Sequence, residues 1–241
     1  MASIALIPAR SGSKRCINKN IRLLNGKPLL AHTVNYSVSS NCINKTYIVT
    51  DSSEYEEIAC SYGATTCGLR PKQTAEDTSS DIDWIKWSVN KINGISDDDL
   101  IYVLRPTNPF RKPQMLRKAF DILKKNNSDS VRGVELCKQH PMKAWILDKK
   151  SEFMLPLNPS FIDGTPAHSN QYANLPNIYI QNASIELFRV SNIEKYGNFS
   201  GFLISPLITE GYEGFDINYD IDFIVAETLL SQGIVTLESF N

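Results

Sequence analysis

The chain has no excess of charge of either sign. Its 25 Lys and Arg stand against 26 Asp and Glu, for a formal net charge of −1 over 241 residues. That leaves no global basic field for nucleic acid. Cysteine is sparse and unpatterned. Cys16, Cys42, Cys60, Cys67 and Cys137 are five, an odd number, and form no CxxC. Neither a disulfide framework nor a zinc site follows, and a reduced, cytoplasmic compartment is the simpler expectation. No uncharged apolar run reaches the roughly 18 residues that a membrane span needs. The first residues run straight into an apolar stretch without the basic and apolar regions of a signal peptide. Repeats, low-complexity tracts and long linkers are missing.

What the chain does have is a local concentration of cations. Ile4 to Ile7 is a short apolar run that reads as a buried strand. Pro8, Ser11, Gly12 and Ser13 then turn it into a loop. Arg10, Lys14, Arg15 and Lys19 follow with no carboxylate among them. A compact turn lets backbone N–H groups converge on an anion. Lys and Arg added to it suit a polyphosphate. The stretch matches neither G-x-x-x-x-G-K-[ST] nor G-x-G-x-x-G.

Beyond this loop, apolar strands alternate with helical patterns. Asn25-Gly26 marks a turn and Pro28 opens a helix bearing Leu29, Leu30, Val34 and Val38. Residues 45–50 read as a second strand, ending at Asp51. That residue either faces a site at the strand's carboxyl end or caps the helix that follows. Residues 69–81 have no hydrophobic period and form a loop. Ser79, Ser80 and Asp81 either cap the next helix or offer polar groups to a base and ribose. Leu100 to Leu104 is a central parallel strand, and residues 113–126 and 130–134 read as a helix and a strand. His140 reads as structural. Residues 148–176 are long for a loop, which by length alone marks a functional or partner-covered segment. Alternation over residues 177–188 indicates strands. Gly214 to Phe223 places alternate polar residues on one side of a further strand, with Asp220 and Asp222 at the start of a terminal helix.

The run Ile-Pro-Ala-Arg-x-Gly-Ser-Lys…Lys-Asn, residues 7–20, resembles the signature loop of the CMP-sugar synthetases, cytidylyltransferases for sialic acids and related nine-carbon sugar acids. The likeness extends nearly end to end. Arg70-Pro71…Asp77-Thr78-Ser79 resembles the stretch that contacts cytidine. Arg105-Pro106-Thr107-Asn108-Pro109-Phe110-Arg111 is similar to Gln-Pro-Thr-Ser-Pro-Leu-Arg on the sugar side, with Arg105 in the Gln position. Residues 140–143 resemble His-Pro-x-Lys, whose Lys reaches the sugar acid. Asn182 matches the Asn of Asn-Gly-x-Ile-Tyr, with Ala183 for Gly and Glu186 for Tyr. Asp216-Ile217-Asn218 stands for an Asp-x-Asp that binds Mg²⁺, and Tyr172 stands where sialic-acid members carry Arg.

The expected fold is one α/β domain over residues 1–241, with a mostly parallel, Rossmann-like sheet and helices on both faces. The resemblance adds an inserted dimerisation arm near residues 137–195 and a homodimer. It implies attack by the anomeric hydroxyl of a nonulosonate on the α-phosphorus of CTP, giving the CMP-sugar and pyrophosphate. Ala9, Arg10, Ser13, Lys14, Lys19, Asn20, Arg70, Ser79 and Asp81 would hold nucleotide. Arg10, Lys14 and Asp216 would carry catalysis, and Asp216 and Asn218 would hold Mg²⁺. Arg105, Lys143, Gln181 and Asn182 would take the sugar acid. For Arg105 a simple salt bridge, and for the two amides satisfaction within a sheet, are equally open on the residues alone. The departures at residues 105, 172 and 186 keep an octulosonate or phosphonate acceptor open. Asn218 keeps open a nucleotide-binding homologue impaired in catalysis.

Overall fold

The computed structural model describes residues 1–148, 150 and 152–237. The chain divides into two compact units, residues 1–133 with 182–241, and residues 134–181.

The first unit is built from β1 (Ser3–Pro8), α1 (Leu29–Val38), β2 (Lys45–Val49), α2 (Ser53–Ser61), β3 (Thr65–Thr66), α3 (Asp81–Lys91), β4 (Leu100–Val103) and α4 (Gln114–Asn126). The chain continues with β5 (Ser130–Leu136) and β6 (Tyr179–Arg189), whose residues 134–136 and 179–181 are counted with the second unit, and then with α5 (Asn192–Tyr196), β7 (Ile204–Ile208) and α6 (Asp220–Ser231). Seven strands form one sheet in the order β7-β5-β6-β4-β1-β2-β3. β1 pairs in parallel with β2 and β4, and β2 with β3, while β6 runs antiparallel to β4. The mostly parallel sheet is therefore as the sequence reads.

Side-chain parity explains the helices on both faces. Ala5 and Ile7 point into a core with Leu30 and Val34 of α1, Tyr55 of α2 and Leu116 of α4. Ile4 and Leu6, one residue out of phase, point into a second core with Trp84 and Ile85 of α3. Both faces of β1 are thus buried, which is why it reads as a continuous apolar run. A third cluster joins Cys16, Leu24 and Leu29 to Ile217, Phe223 and Leu229 of α6. It fixes the far end of the basic loop beside the segment that precedes α6.

Three expectations change. Residues 214–219 are not a strand; the segment is held by side chains instead of a ladder. Asn108 Nδ2 donates to the Phe215 carbonyl at 3.0 Å, and Asp222 Oδ2 accepts from the Asn218 and Tyr219 amides at 2.7 and 2.8 Å. Polar and apolar residue types alternate in this loop and imitate a strand's sequence pattern, but burial does not alternate with them. The proposed cap of α3 is also absent. Ser80 at its start makes no side-chain cap bond, and Asp81 accepts from Trp84 Nε1 at 2.8 Å instead. Finally, residues 182–195 belong to the first unit, because β6 completes the sheet and α5 follows it.

The second unit carries two short hairpins, pairing Trp145–Leu147 with Met154–Pro156 and Phe161–Ile162 with Thr165–Pro166. His140 is structural here. Its Nδ1 accepts from the Met142 amide at 3.2 Å, and Nε2 lies 2.9 Å from the Pro176 carbonyl.

Candidate active site

A cleft of about 320 Å³ opens at the carboxyl ends of β1 and β4, the end where open α/β sheets take ligands. One wall is the basic loop, with Arg10, Ser13, Lys14, Arg15, Lys19 and Asn20. The facing residues come from the loop before α3, from the turn after β4 and from the segment before α6.

The basic loop is anchored at both ends. The Ala9 amide donates to the Val49 carbonyl at 3.0 Å. Asp51 takes both donors of Ser11, the amide at 2.9 Å and the hydroxyl at 3.0 Å. Ser52, not Asp51, caps α2 by accepting from the Tyr55 amide. Of the two roles open to Asp51, the fold uses neither a direct place in the cleft lining nor the cap; the residue clamps the loop. Farther along, buried Asn20 donates to the Arg10 carbonyl at 3.1 Å, and Lys19 Nζ donates to the Ile217 carbonyl at 2.8 Å. Burial lowers the Lys19 pKa from its ordinary value, against the attraction of Asp216.

Arg10 and Lys14 converge on one carboxylate. Asp77 Oδ1 lies 2.6 Å from Arg10 Nη2, and Oδ2 lies 2.7 Å from Lys14 Nζ. Hydrogen bonds from Lys14 and Arg10 lower the Asp77 pKa. Two cations that share one carboxylate in this way can share a phosphate as well.

Arg70 is buried against the cleft, its Nε without a partner. Burial lowers its pKa, with Asp51 and Asp81 opposing. An unpaired buried donor is costly and suits a ligand oxygen. Ser79 is less available: its hydroxyl donates to the Gln73 carbonyl and accepts from the Glu76 amide at 3.1 Å.

Arg105 is salt-bridged, one of the two readings left open for it, and also reaches the cleft. It lines the cleft, and its Nη2 lies 2.6 Å from Asp81 Oδ2 and 3.2 Å from Glu186 Oε1. Burial works against its charge, but Glu186 and Asp81 outweigh burial and raise its pKa. Arg111 sets the backbone here. It is fully enclosed and has no carboxylate; it donates to the carbonyls of Arg105 at 2.6 Å, Asn108 at 2.7 Å and Ser184. Burial pushes its pKa down to about 10.

Asp216 faces the basic loop across the cleft. Its Oδ2 accepts from Asn218 Nδ2 at 2.6 Å, while Oδ1 is buried without a partner. Among the described residues no three His, Cys, Asp or Glu side chains gather as a metal cluster. Mg²⁺ held with a triphosphate needs only one or two carboxylates, so the orphaned Oδ1 fits that ion. Asn218 presents its nitrogen to Asp216 and thus serves as a hydrogen-bond donor in this arrangement.

Four expected residues are not in the lining. Ala9 is wholly buried beneath the loop. Asn182 is satisfied inside the sheet, donating to Thr209 Oγ1 at 2.8 Å and accepting from Ser184 Oγ at 2.6 Å. Gly133 lies close beneath it, where a Cβ would come within 2.6 Å of Asn182 Oδ1. Ala183, on the opposite parity, lines the cleft instead. Lys143 and Gln181 belong to the second unit. There Lys143 Nζ donates to the carbonyls of His168 at 3.2 Å and Asn170 at 2.5 Å. Asp77 and Trp84 in the lining and Glu186 behind it were not among the expected site residues, and Arg15 was expected only as one of the loop's cations. Asp77 lay within a quoted stretch, but its partners are some 65 residues away in sequence.

Cations and one orphaned carboxylate gathered at the carboxyl edge of such a sheet define a nucleotide-using enzyme. The family model described as "Cytidylyltransferase" matches residues 4–153. The CMP-N,N'-diacetyllegionaminic acid synthase of Legionella pneumophila is 34% identical over 232 residues, covering 95% of this chain and 97% of that protein. The N-acylneuraminate cytidylyltransferase of Escherichia coli is 44% identical over 108 residues, 45% of this chain and 25% of that protein. A solved CMP:2-keto-3-deoxy-manno-octonic acid synthetase complexed with CTP shares the fold, with TM-score 0.67 at 14% identity, covering 97% of this chain and all of that one. The chain belongs to the cytidylyltransferase family.

Proposed function

We propose that the protein activates a nonulosonate with CTP. The anomeric hydroxyl oxygen bonds to the α-phosphorus, the bond to the β-phosphate bridging oxygen breaks, and pyrophosphate leaves as the hydroxyl proton is lost. The convergence of Arg10 and Lys14 on a single carboxylate, facing Asp216 across the cleft, carries this reading. Nucleotidyl transfer needs positioning and charge neutralisation more than covalent catalysis. A phosphate takes the place of the Asp77 carboxylate as the shared partner of Arg10 and Lys14. Arg15, which also lines the cleft, adds charge. Arg70, with its unpaired Nε, and Asp81 hold the base and ribose. Asp216 Oδ1 is the ligand for Mg²⁺, and Asn218 keeps the other carboxylate oxygen in place. The ion, when bound, supplies charge neutralisation at the triphosphate. The nonulosonate assignment draws on the full-length likeness to the Legionella protein.

The second unit favours a homodimer. Ile146, Leu147, Phe153, Leu155 and Phe161 are all more than half exposed, an apolar density that marks a protein contact. Among the described residues no helix is long and apolar enough to cross a membrane, and a CTP-dependent reaction suits the cytoplasm.

Pyrophosphate release tests the function. With CTP and Mg²⁺, a panel of nonulosonates should give turnover, and an octulosonate and a phosphonate should give much less. Equal turnover across the panel, or none with any sugar acid, would overturn the assignment. Light scattering tests the dimer, for which a monomer mass at micromolar concentration is the contrary result.

A further inference from the structure

Arg105 and Glu186 both depart from the pattern the chain otherwise resembles, and the fold brings them together. They lie 81 residues apart in sequence and 3.2 Å apart in space. Pairing of β6 with β4 puts Glu186 opposite Val103, two residues before Arg105. Glu186 is almost wholly buried and does not line the cleft; Arg105 does, with about a quarter of its side chain exposed. Behind Glu186, Arg132 Nη1 lies 3.4 Å from Oε2. Arg132 is itself fixed by the Ser200 hydroxyl and the face of Phe199. The group holds two guanidinium and two carboxylate groups and is neutral as a whole.

Its geometry is selective. Both carboxylates engage the same nitrogen, Nη2 of Arg105. A guanidinium has five N–H donors and no acceptor, so Nη1 and Nε are what Arg105 can turn toward a ligand. An amide side chain at this position could both donate and accept. Arg105 can only donate, and its charge is already balanced.

We infer that Glu186 is a positioning residue for acceptor choice. With Asp81 it holds Arg105 so that the guanidinium selects a sugar acid presenting an oxygen that only accepts hydrogen bonds. The sources of such an oxygen are an acylamino carbonyl or a carboxylate. The inference rests on the proposed reaction, since Arg105 is read as facing the acceptor.

The test uses Glu186→Gln, Glu186→Tyr, Arg105→Gln and the double variant R105Q/E186Y. Steady-state constants are measured separately for CTP and for four acceptors: a di-N-acetyl nonulosonate, a mono-N-acetyl one, one with hydroxyl in place of acetamido, and the methyl ester of the first. Expected for E186Q and R105Q is a loss of roughly ten- to a hundredfold in kcat/KM for acylated acceptors, the range of a charged hydrogen bond. The KM for CTP and the CTP-induced rise in melting temperature should hold. If the oxygen is the acyl carbonyl, the hydroxyl analogue should gain relative to the acylated acceptors, and if it is the carboxylate, the methyl ester should gain instead. Loss of discrimination by the ester alone assigns the oxygen to the carboxylate; loss by the hydroxyl analogue alone assigns it to the acyl group. If E186Q unfolds, R105Q/E186Y removes both charges together and carries the test. Equal rises in KM for CTP and acceptor, or an unchanged acceptor ranking, would overturn the inference. Failure of the parent protein to use any acceptor would instead overturn the proposed reaction.

Discussion

Lys14 shows how a single side chain can matter for rate and not for fold. It is 82% exposed, and its one partner is Asp77 in a surface loop. Lys14→Ala should lower kcat by roughly 10²–10³, the usual worth of one transition-state charge contact, and change stability by less than about 0.5 kcal/mol. Parallel turnover and melting measurements check this; equal activity would remove Lys14 from the phosphate site. Asn218 is the opposite case, since its amide touches the proposed metal ligand. Asn218→Asp exchanges a 2.6 Å hydrogen bond for a like-charge contact with Asp216. Melting temperature should fall without metal and recover on addition of Mg²⁺, and the Mg²⁺ needed for half-maximal activity should drop. A variant indifferent to Mg²⁺ in both assays would place Asn218 outside the ion's reach. Asp81 supplies the pH dependence. Burial opposes its ionisation, but Arg105, Trp84 and Arg132 prevail and its folded pKa lies below the ordinary aspartate value. The stability it contributes is therefore full above the unfolded pKa and disappears as pH falls through the lower folded one. Asp81→Asn should flatten the acid limb of stability below about pH 4; an acid limb identical to the parent's would contradict the pairing with Arg105.

At the level of elements, the loop after β1 depends on a residue at the end of β2. Asp51→Ala removes both bonds to Ser11. The expected result is a rise of about tenfold in KM for CTP, consistent with about 1–1.5 kcal/mol of lost loop order, with kcat at saturation nearly kept. A drop in kcat with KM unchanged would mean that Asp51 acts on the chemistry. This contact also shows what a sequence can and cannot reveal. β1 and β4 were legible because a strand buried on both faces must be apolar throughout. The cationic wall of the cleft was legible because its cations stand close together in the chain. β3 has two residues and β7 is an edge strand interrupted by Pro206, so neither has enough pattern to read. Residues 214–219 were misread because alternation reports extended backbone, whether a ladder or a set of side chains holds it. Glu186 and Asp77 were missed because charge pairing across 60 or more residues leaves no local trace.

For the molecule as a whole, the cleft is made by segments far apart in the chain, and Arg111 is where they meet. Its guanidinium ties the turn after β4 to Ser184 in β6, and its neighbour Asn108 ties that turn to Phe215. Two-thirds of the way along the chain, Arg111 Nε still lacks Ser184 and Asn108 Nδ2 still lacks Phe215. Domains fold as units while synthesis proceeds from the amino terminus, so a nascent chain that has yet to deliver Ser184 and Phe215 holds the turn only by its bonds to Thr33, Arg105 and Asn108, without the ties that join it to β6 and to the segment before α6. The basic loop is among the first segments made, yet the cleft it lines is completed only by some of the last. A truncated product of residues 1–153 should give no CTP-dependent rise in melting temperature, although it spans the whole of the family match. On that outcome, translation interrupted at this point would leave a fragment that neither sequesters CTP nor turns it over.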